Sequence, residues 1–234
     1  MSLKELAQKV ASPTICDMMH GEPHAFLMDG PLPQKDKSFF GEAVTLRSLP
    51  FRADLAQSIK DKYGAEENHP FGQALEMAAD GKVLVIDTSG YTNAAVAGDV
   101  KLVRLHDNGA AGLVTDGRVR DKEGVTAYNF GLACSGFTPR VGTGFYLLGA
   151  EVNVPVAVGK VLVNPGDFIF GDQNGTVVIP KDKAEEVLTK AAKQGALEDY
   201  FRDKISKDNV NPARYYPPND ELRKEFEAWY ATNK

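Results

Sequence analysis

Two short apolar runs constrain this chain more than any other feature: residues 82–87 (KVLVID) and 110–115 (AAGLVT). Both are continuous rather than alternating, the pattern of strands buried on both faces. Between them, residues 92–108 carry Val96, Val100 and Val103, with Leu102 and Leu105, at helical spacing, and Gly109 closes the stretch. The unit reads strand, helix, strand, which calls for parallel strands joined by a right-handed crossover. The pattern predicts an α/β fold with a central βαβ unit.

The flanks extend this reading. Leu3, Leu6, Ala7 and Val10 have helical spacing behind a Ser2 cap, and Ser12-Pro13 reads as the capped start of a second helix. Residues 21–37 hold Pro23, Pro31 and Pro33 and read as loop. Residues 41–49 read as a strand, and 74–79 as a helix stopped by Asp80-Gly81. The second half changes character. Runs at 151–158, 160–163, 167–170 and 176–179 are separated by Gly, Asn and Pro turns, which predicts antiparallel hairpins or a small barrel-like sheet. A helix over 181–194 is expected to break at Gly195 and resume. After the proline-rich 211–219, Leu222, Phe226 and Trp229 form one helical face. That helix packs either on its own chain or on a neighbouring subunit. The expected division is a domain over 1–207 and a C-terminal extension over 208–234.

Composition narrows the function. The 234 residues carry a net charge of -5 with no long basic run, so neither nucleic acid nor an anionic membrane is an expected partner. No apolar run is long enough to span a bilayer, and the charged N-terminus lacks an apolar signal core, so a cytoplasmic protein is expected. Cys16 and Cys134 match no metal spacing and read as reduced, buried thiols. His20, His24, His69 and His106 have no paired spacing for a zinc site.

The densest chemistry lies in Ala97-Gly98-Asp99 and in Thr115-Asp116-Gly117-Arg118-Val119-Arg120-Asp121. The second cluster follows a strand, where open α/β sheets place their ligands. A guanidinium beside a carboxylate suits an anionic substrate next to a metal: Arg grips carboxylates in a bidentate way, and Asp holds a Mg²⁺ that keeps most of its waters. The same spacing also describes a solvated turn with local ion pairs of little energetic weight. If a helix begins near Gly98-Asp99, the amides of Val100 and Lys101 are free to receive an anion.

Gly98-Asp99-Val100-Lys101, followed by Gly112-Leu113-Val114-Thr115-Asp116-Gly117-Arg118-Val119-Arg120-Asp121, resembles the divalent-metal, pyruvate-forming aldolases that include 4-hydroxy-4-methyl-2-oxoglutarate aldolase. The same family contains the RraA-like regulators of ribonuclease E. The likeness takes in Ser12 to Asp17, Gly41 to Thr45, Asn164-Pro165-Gly166-Asp167 and Gly171 to Gly175, and covers roughly residues 10–195. The Arg-Asp pair is its specific part.

The resemblance implies a swivelling β/β/α-type single domain with a C-terminal helical extension, assembled as a homotrimer or homohexamer with sites near subunit interfaces. It implies Mg²⁺ or Mn²⁺ held by Asp121, and Arg120 on the pyruvate part of the substrate. It makes Asp99 the proton-handling group and Gly98, Val100 and Lys101 the carboxylate cradle. Glu198 is the nearest match to an acidic residue that reaches the metal waters of an adjacent subunit in some members. The implied reaction cleaves a 4-hydroxy-2-oxo diacid to pyruvate and an oxo product, with oxaloacetate decarboxylation as a side activity. Non-catalytic regulators lack an acid at the position of Asp121. The alternatives are such a regulatory binding protein, or a lyase acting on a sugar acid. Three departures bear on specificity: Lys101 stands where the family more often has an apolar residue, residues 52–71 exceed the usual connector, and the C-terminal extension after Lys207 is long.

Overall fold

In the computed structural model, which describes residues 1–19 and 28–233, the two apolar runs lie side by side as parallel strands. His20, His24, Pro23 and the first part of the expected 21–37 loop fall outside the described residues. The chain opens with α1 (Leu3–Ala7) and α2 (Ser12–Met18), then β1 (Leu32–Pro33) and the long β2 (Phe39–Pro50). Next come α3 (Ala53–Tyr63), α4 (Pro70–Met77), β3 (Val83–Asp87), α5 (Asp99–Asp107) and β4 (Gly112–Thr115). They are followed by α6 (Lys122–Ala127), β5 (Gly131–Cys134) and β6 (Leu147–Val152). Two tight hairpins then form, β7 (Val156–Val158) with β8 (Val161–Val163) and β9 (Phe168–Asp172) with β10 (Gly175–Ile179). The chain ends in α7 (Ala184–Asp208) and α8 (Asp220–Thr232).

The main sheet runs β1-β5-β4-β3-β2-β9-β10. Strands β2 to β5 are mutually parallel. The other side of β2 is shared: Phe39 to Glu42 pair with β9, and Leu46 to Pro50 pair with β6, both antiparallel. The outer strands β1 and β10 approach each other, so the sheet is nearly closed. Alternation along β3 explains its unbroken apolar sequence. Val83 and Val85 face the inside with Val114, Ile169 and Val178. Leu84 and Ile86 face outward onto Leu75 of α4 and Leu102 and Leu105 of α5. Helices α1, α2 and α7 cover β9 and β10 through Leu6, Ile15, Leu188 and Ala191. This is the mixed α/β single domain expected from the βαβ pattern and the hairpin-rich second half.

Several local expectations need correction. The central helix begins at Asp99, not at residue 92. Its apparent first turns are extended, because the backbone of 95–97 pairs with distant chain: Ala95 N donates to Arg140 O, Val96 N to Arg118 O, and Ala97 O accepts from Arg120 N. Helix α7 runs through Gly195 without a break. The expected strand over 151–158 is two strands, parted at Asn153, which has a φ of +58°, and at Pro155. Ser12 does not cap α2; its amide and hydroxyl both donate to the Asp172 carboxylate, at 2.8 and 2.7 Å. The polar stretch after residue 52 contains α3, a helix that buries only Ile59.

Helix α8 packs on α7 of its own chain. Phe226 and Phe201 are fully buried together with Leu197. Asn219 caps α8 by accepting from the Leu222 amide at 3.0 Å.

Candidate functional site

The site is built where β3, β4 and β5 end. Asp116, just after β4, accepts from the Thr88 amide, the Thr88 hydroxyl and the Gly90 amide, each at 2.8 Å. Ser135, after β5, donates its hydroxyl to Asp116 O at 2.7 Å. Burial pushes the Asp116 carboxyl upward, and the donors from Thr88 and Gly90 oppose that shift. Asp116 therefore ties three strand ends together. Its place is structural, although it sits in the charged cluster.

From this knot residues 118–120 run extended, and Asp121 turns the chain into α6 with a left-handed φ of +59°. That turn aims the Asp121 carboxylate back at the start of α5. Its Oδ2 lies 3.0 Å from Arg120 Nε and accepts from the Asp99 amide at 3.4 Å. Among the described residues no hydrogen bond reaches Oδ1. The Asp99 carboxylate lies over Gly124, and its Oδ1 takes the Val100 amide at 2.7 Å. The Tyr128 hydroxyl donates to Asp99 O at 3.1 Å, which fixes the first turn of α5 to the end of α6.

The expected residues Gly98, Asp99, Val100, Lys101, Arg120 and Asp121 thus line one cavity of about 240 Å³. The sequence reasoning missed its far wall, Val141, Gly142 and Thr143, which carries no charge to mark it. Lys101 divides in two. Its backbone lies in the first turn of α5, but its ammonium sits 3.6 Å from Glu66 and 5.0 Å above the Phe71 ring. Glu198 lies elsewhere in this chain. It lines a pocket with Phe201 and Pro212, and accepts from Gln194 at 2.7 Å and from the Tyr216 hydroxyl at 3.3 Å. Lys160 is exposed and pairs with Asp29.

The donor set decides what cation could be held. No group of three or more His, Cys, Asp or Glu side chains converges among the described residues, so a closed zinc-type site has no ligands here. One carboxylate with a spare oxygen, beside a second carboxylate, fits Mg²⁺ or Mn²⁺ that retains several waters. His106 is engaged structurally: its Nδ1 accepts from the Asn129 amide and its ring stacks on Tyr128. The thiols are free, and burial pushes Cys134 up to about 11, which leaves it protonated and inert.

Comparison with known proteins points one way for the fold and two ways for activity. A family model described as RraA-like, Aldolase/RraA, matches residues 12–178. A Halalkalibacterium halodurans protein named "Putative 4-hydroxy-4-methyl-2-oxoglutarate aldolase" is 40% identical over 148 residues, 62% of this chain and 67% of that protein. The crystal structure of Streptomyces coelicolor RraAS2, titled an unusual member of the RNase ES inhibitor RraA family, superposes with a TM-score of 0.72. Its identity is 30%, over 86% of this chain and 98% of that one. An uncharacterized Pseudomonas syringae protein shares the fold, with a TM-score of 0.77 at 22% identity over 91% of both chains.

Proposed function

The chain belongs to the RraA-like aldolase/RraA family, and from that premise we propose that it is a divalent-metal-dependent lyase releasing pyruvate from a 4-hydroxy-2-oxo diacid. One observation carries the reading: Asp121, Arg120 and Asp99 converge on the first turn of α5, with one Asp121 oxygen left over. A family member that only binds a partner has no need of that spare acidic ligand.

A divalent cation held through Asp121 supplies Lewis-acid polarisation of the substrate's 2-oxo group. The chain's own groups do the rest. Arg120 is anchored through Nε on Asp121, which leaves its terminal nitrogens to bind the substrate carboxylate and C2 oxygen. The Val100 and Lys101 amides, at the positive end of α5, receive the carboxylate; Val100 N exchanges its bond from Asp99 to the substrate. That exchange frees Asp99 to hold a proton. In the reaction the C4 hydroxyl loses its proton, the C3–C4 bond breaks, and its electron pair moves to the C2 oxygen. Arg120 places fixed positive charge where that negative charge develops. Protonation at C3 then yields pyruvate. Oxaloacetate gives the same enolate by losing carbon dioxide, so decarboxylation is expected of the same site.

The assembly we expect is a homotrimer or homohexamer. Val100 and Phe145, beside the cavity, are 83% and 68% exposed and offer apolar surface for a neighbouring subunit. The test of the activity is pyruvate release from oxaloacetate and 4-hydroxy-4-methyl-2-oxoglutarate, with Mg²⁺ or Mn²⁺ and with chelator. Chelator-sensitive pyruvate supports the lyase. No pyruvate from these or from a wider panel of oxo acids supports a regulatory binding protein instead.

A further inference from the structure

Beside the candidate site lies a second, larger cavity of about 890 Å³. It shares Lys101 and Thr143 with the first, so the two adjoin at these residues. Its apolar lining comes from Phe51, Ala56 and Ile59 on one side and Phe71, Leu75 and Leu148 on the other. The first wall belongs to α3 and to Phe51 just before it. Helix α3 buries Ile59 alone, so the chain gains little core from it. What it does build is one wall of a half-open cleft.

The junction between the cavities is charged. The Lys101 ammonium lies there, 3.6 Å from a Glu66 carboxylate that is 83% exposed. That separation is an ion pair in solvent, worth little, and leaves the ammonium's donors available to a ligand anion. Glu76, which lines this cavity along with Glu66 and Glu67, is held by the Nη2 and Nε contacts of Arg104 at 2.6 and 2.7 Å, so it does not compete for Lys101.

A cavity of about 240 Å³ falls below the usual range for an organic ligand, and the pair together lies just above it. We propose that the larger cavity receives the far end of the substrate, a 4-hydroxy-2-oxo diacid whose C4 carries an alkyl or aryl group bulkier than methyl. The C4 carboxylate sits on Lys101, and the bulky group lies between α3 and β6. This rests on the lyase reading of the adjoining site and specifies its substrate class.

The experiment compares kcat/KM for pyruvate release from 2-oxoglutarates bearing a 4-hydroxyl and a methyl, propyl or benzyl group at C4. Oxaloacetate, which ends before the larger cavity, is measured alongside. The expected result is a rise from methyl to benzyl of about tenfold or more, the scale of discrimination by apolar pockets. Ala56→Trp fills the cavity from α3 and Leu148→Trp from β6. Each brings the benzyl-to-methyl ratio back to about one. A ratio within one protein is insensitive to a general loss of folded enzyme, and two opposite walls guard against one variant failing to fold. Equal turnover of methyl and benzyl substrates, or a preference untouched by both variants, overturns this inference alone. Absence of pyruvate from every compound, oxaloacetate included, overturns the lyase reading and this inference with it.

Discussion

The Asp121 carboxylate rests on the bare Cα of Gly98: a Cβ there would lie 2.2 Å from Asp121 Oδ2 and 2.8 Å from Arg120 Cγ. Gly98 has an extended φ of -130°, which any residue adopts, so the position needs glycine for space and not for backbone freedom. The 98–101 segment and the Arg-Asp pair can meet only because one of them has no side chain at this point.

Gly98→Ala therefore displaces both Asp121 and Arg120. Turnover is expected to fall by about 10²-fold, the scale of an ångström's misplacement. The melting temperature should change little, because the ion pair is partly exposed and stabilises weakly. Full activity in Gly98→Ala would show that the pair does not need its present position.

The parts legible in the sequence are those specified by local patterns. The apolar runs of β3 and β4, the turn-separated hairpins and the stripe of α8 all carry their partners' demands in their own residues. The start of α5 does not. Ala94 to Ala97 fit a helical stripe equally well, and only pairing with Arg118, Arg120 and Arg140 makes them extended. Helix α3 was hidden for another reason: Leu55, Ala56, Ile59 and Tyr63 have helical spacing, but the segment is polar on the whole and buries one residue. At the site, Asp99, Arg120 and Asp121 announce themselves by charge. Thr143 and the wall around it do not, and the direction of the Lys101 side chain depends on Glu66 and Phe71, which no local pattern links to it.

Gly195 was expected to break a helix and lies inside one. A Cβ at this position would meet only Lys9 O, at 3.5 Å, an ordinary contact. Gly195→Ala is thus expected to stabilise the protein by about 0.5–1 kcal/mol through helix propensity. Denaturant unfolding measures this, and a destabilised variant would mean that α1 needs to approach more closely.

Phe226 anchors α8 on Phe201 and Leu197 and is fully buried. Phe226→Ala is expected to cost about 3–5 kcal/mol in the packing of α8, as for large core truncations. Limited proteolysis should then cut within 209–219 faster than in the parent. An unchanged cleavage rate would show that α8 is held by other contacts.

Asp172 gives a pH prediction. Burial raises its carboxyl, but four hydrogen bonds from Ser12 and Asn174 outweigh it and leave the group below its usual value. A depressed folded value contributes stability above the unfolded value, and that stability is lost as pH falls through the folded one. Asp172→Asn should be less stable than the parent at neutral pH, and the gap should close below the ordinary carboxylate range. A gap that stays constant down to acid pH would mean that the charge contributes nothing.

The central claim is that Asp121 holds the cation that makes this site a lyase. Asp121→Asn tests it most directly, because Asn tolerates the left-handed φ of +59° that Ala would find strained, so the turn into α6 survives. The measurement is pyruvate release from oxaloacetate at saturating Mn²⁺, variant against parent. The account predicts chelator-sensitive release by the parent and background release by the variant at an unchanged melting temperature. Parent-level release by Asp121→Asn would contradict it.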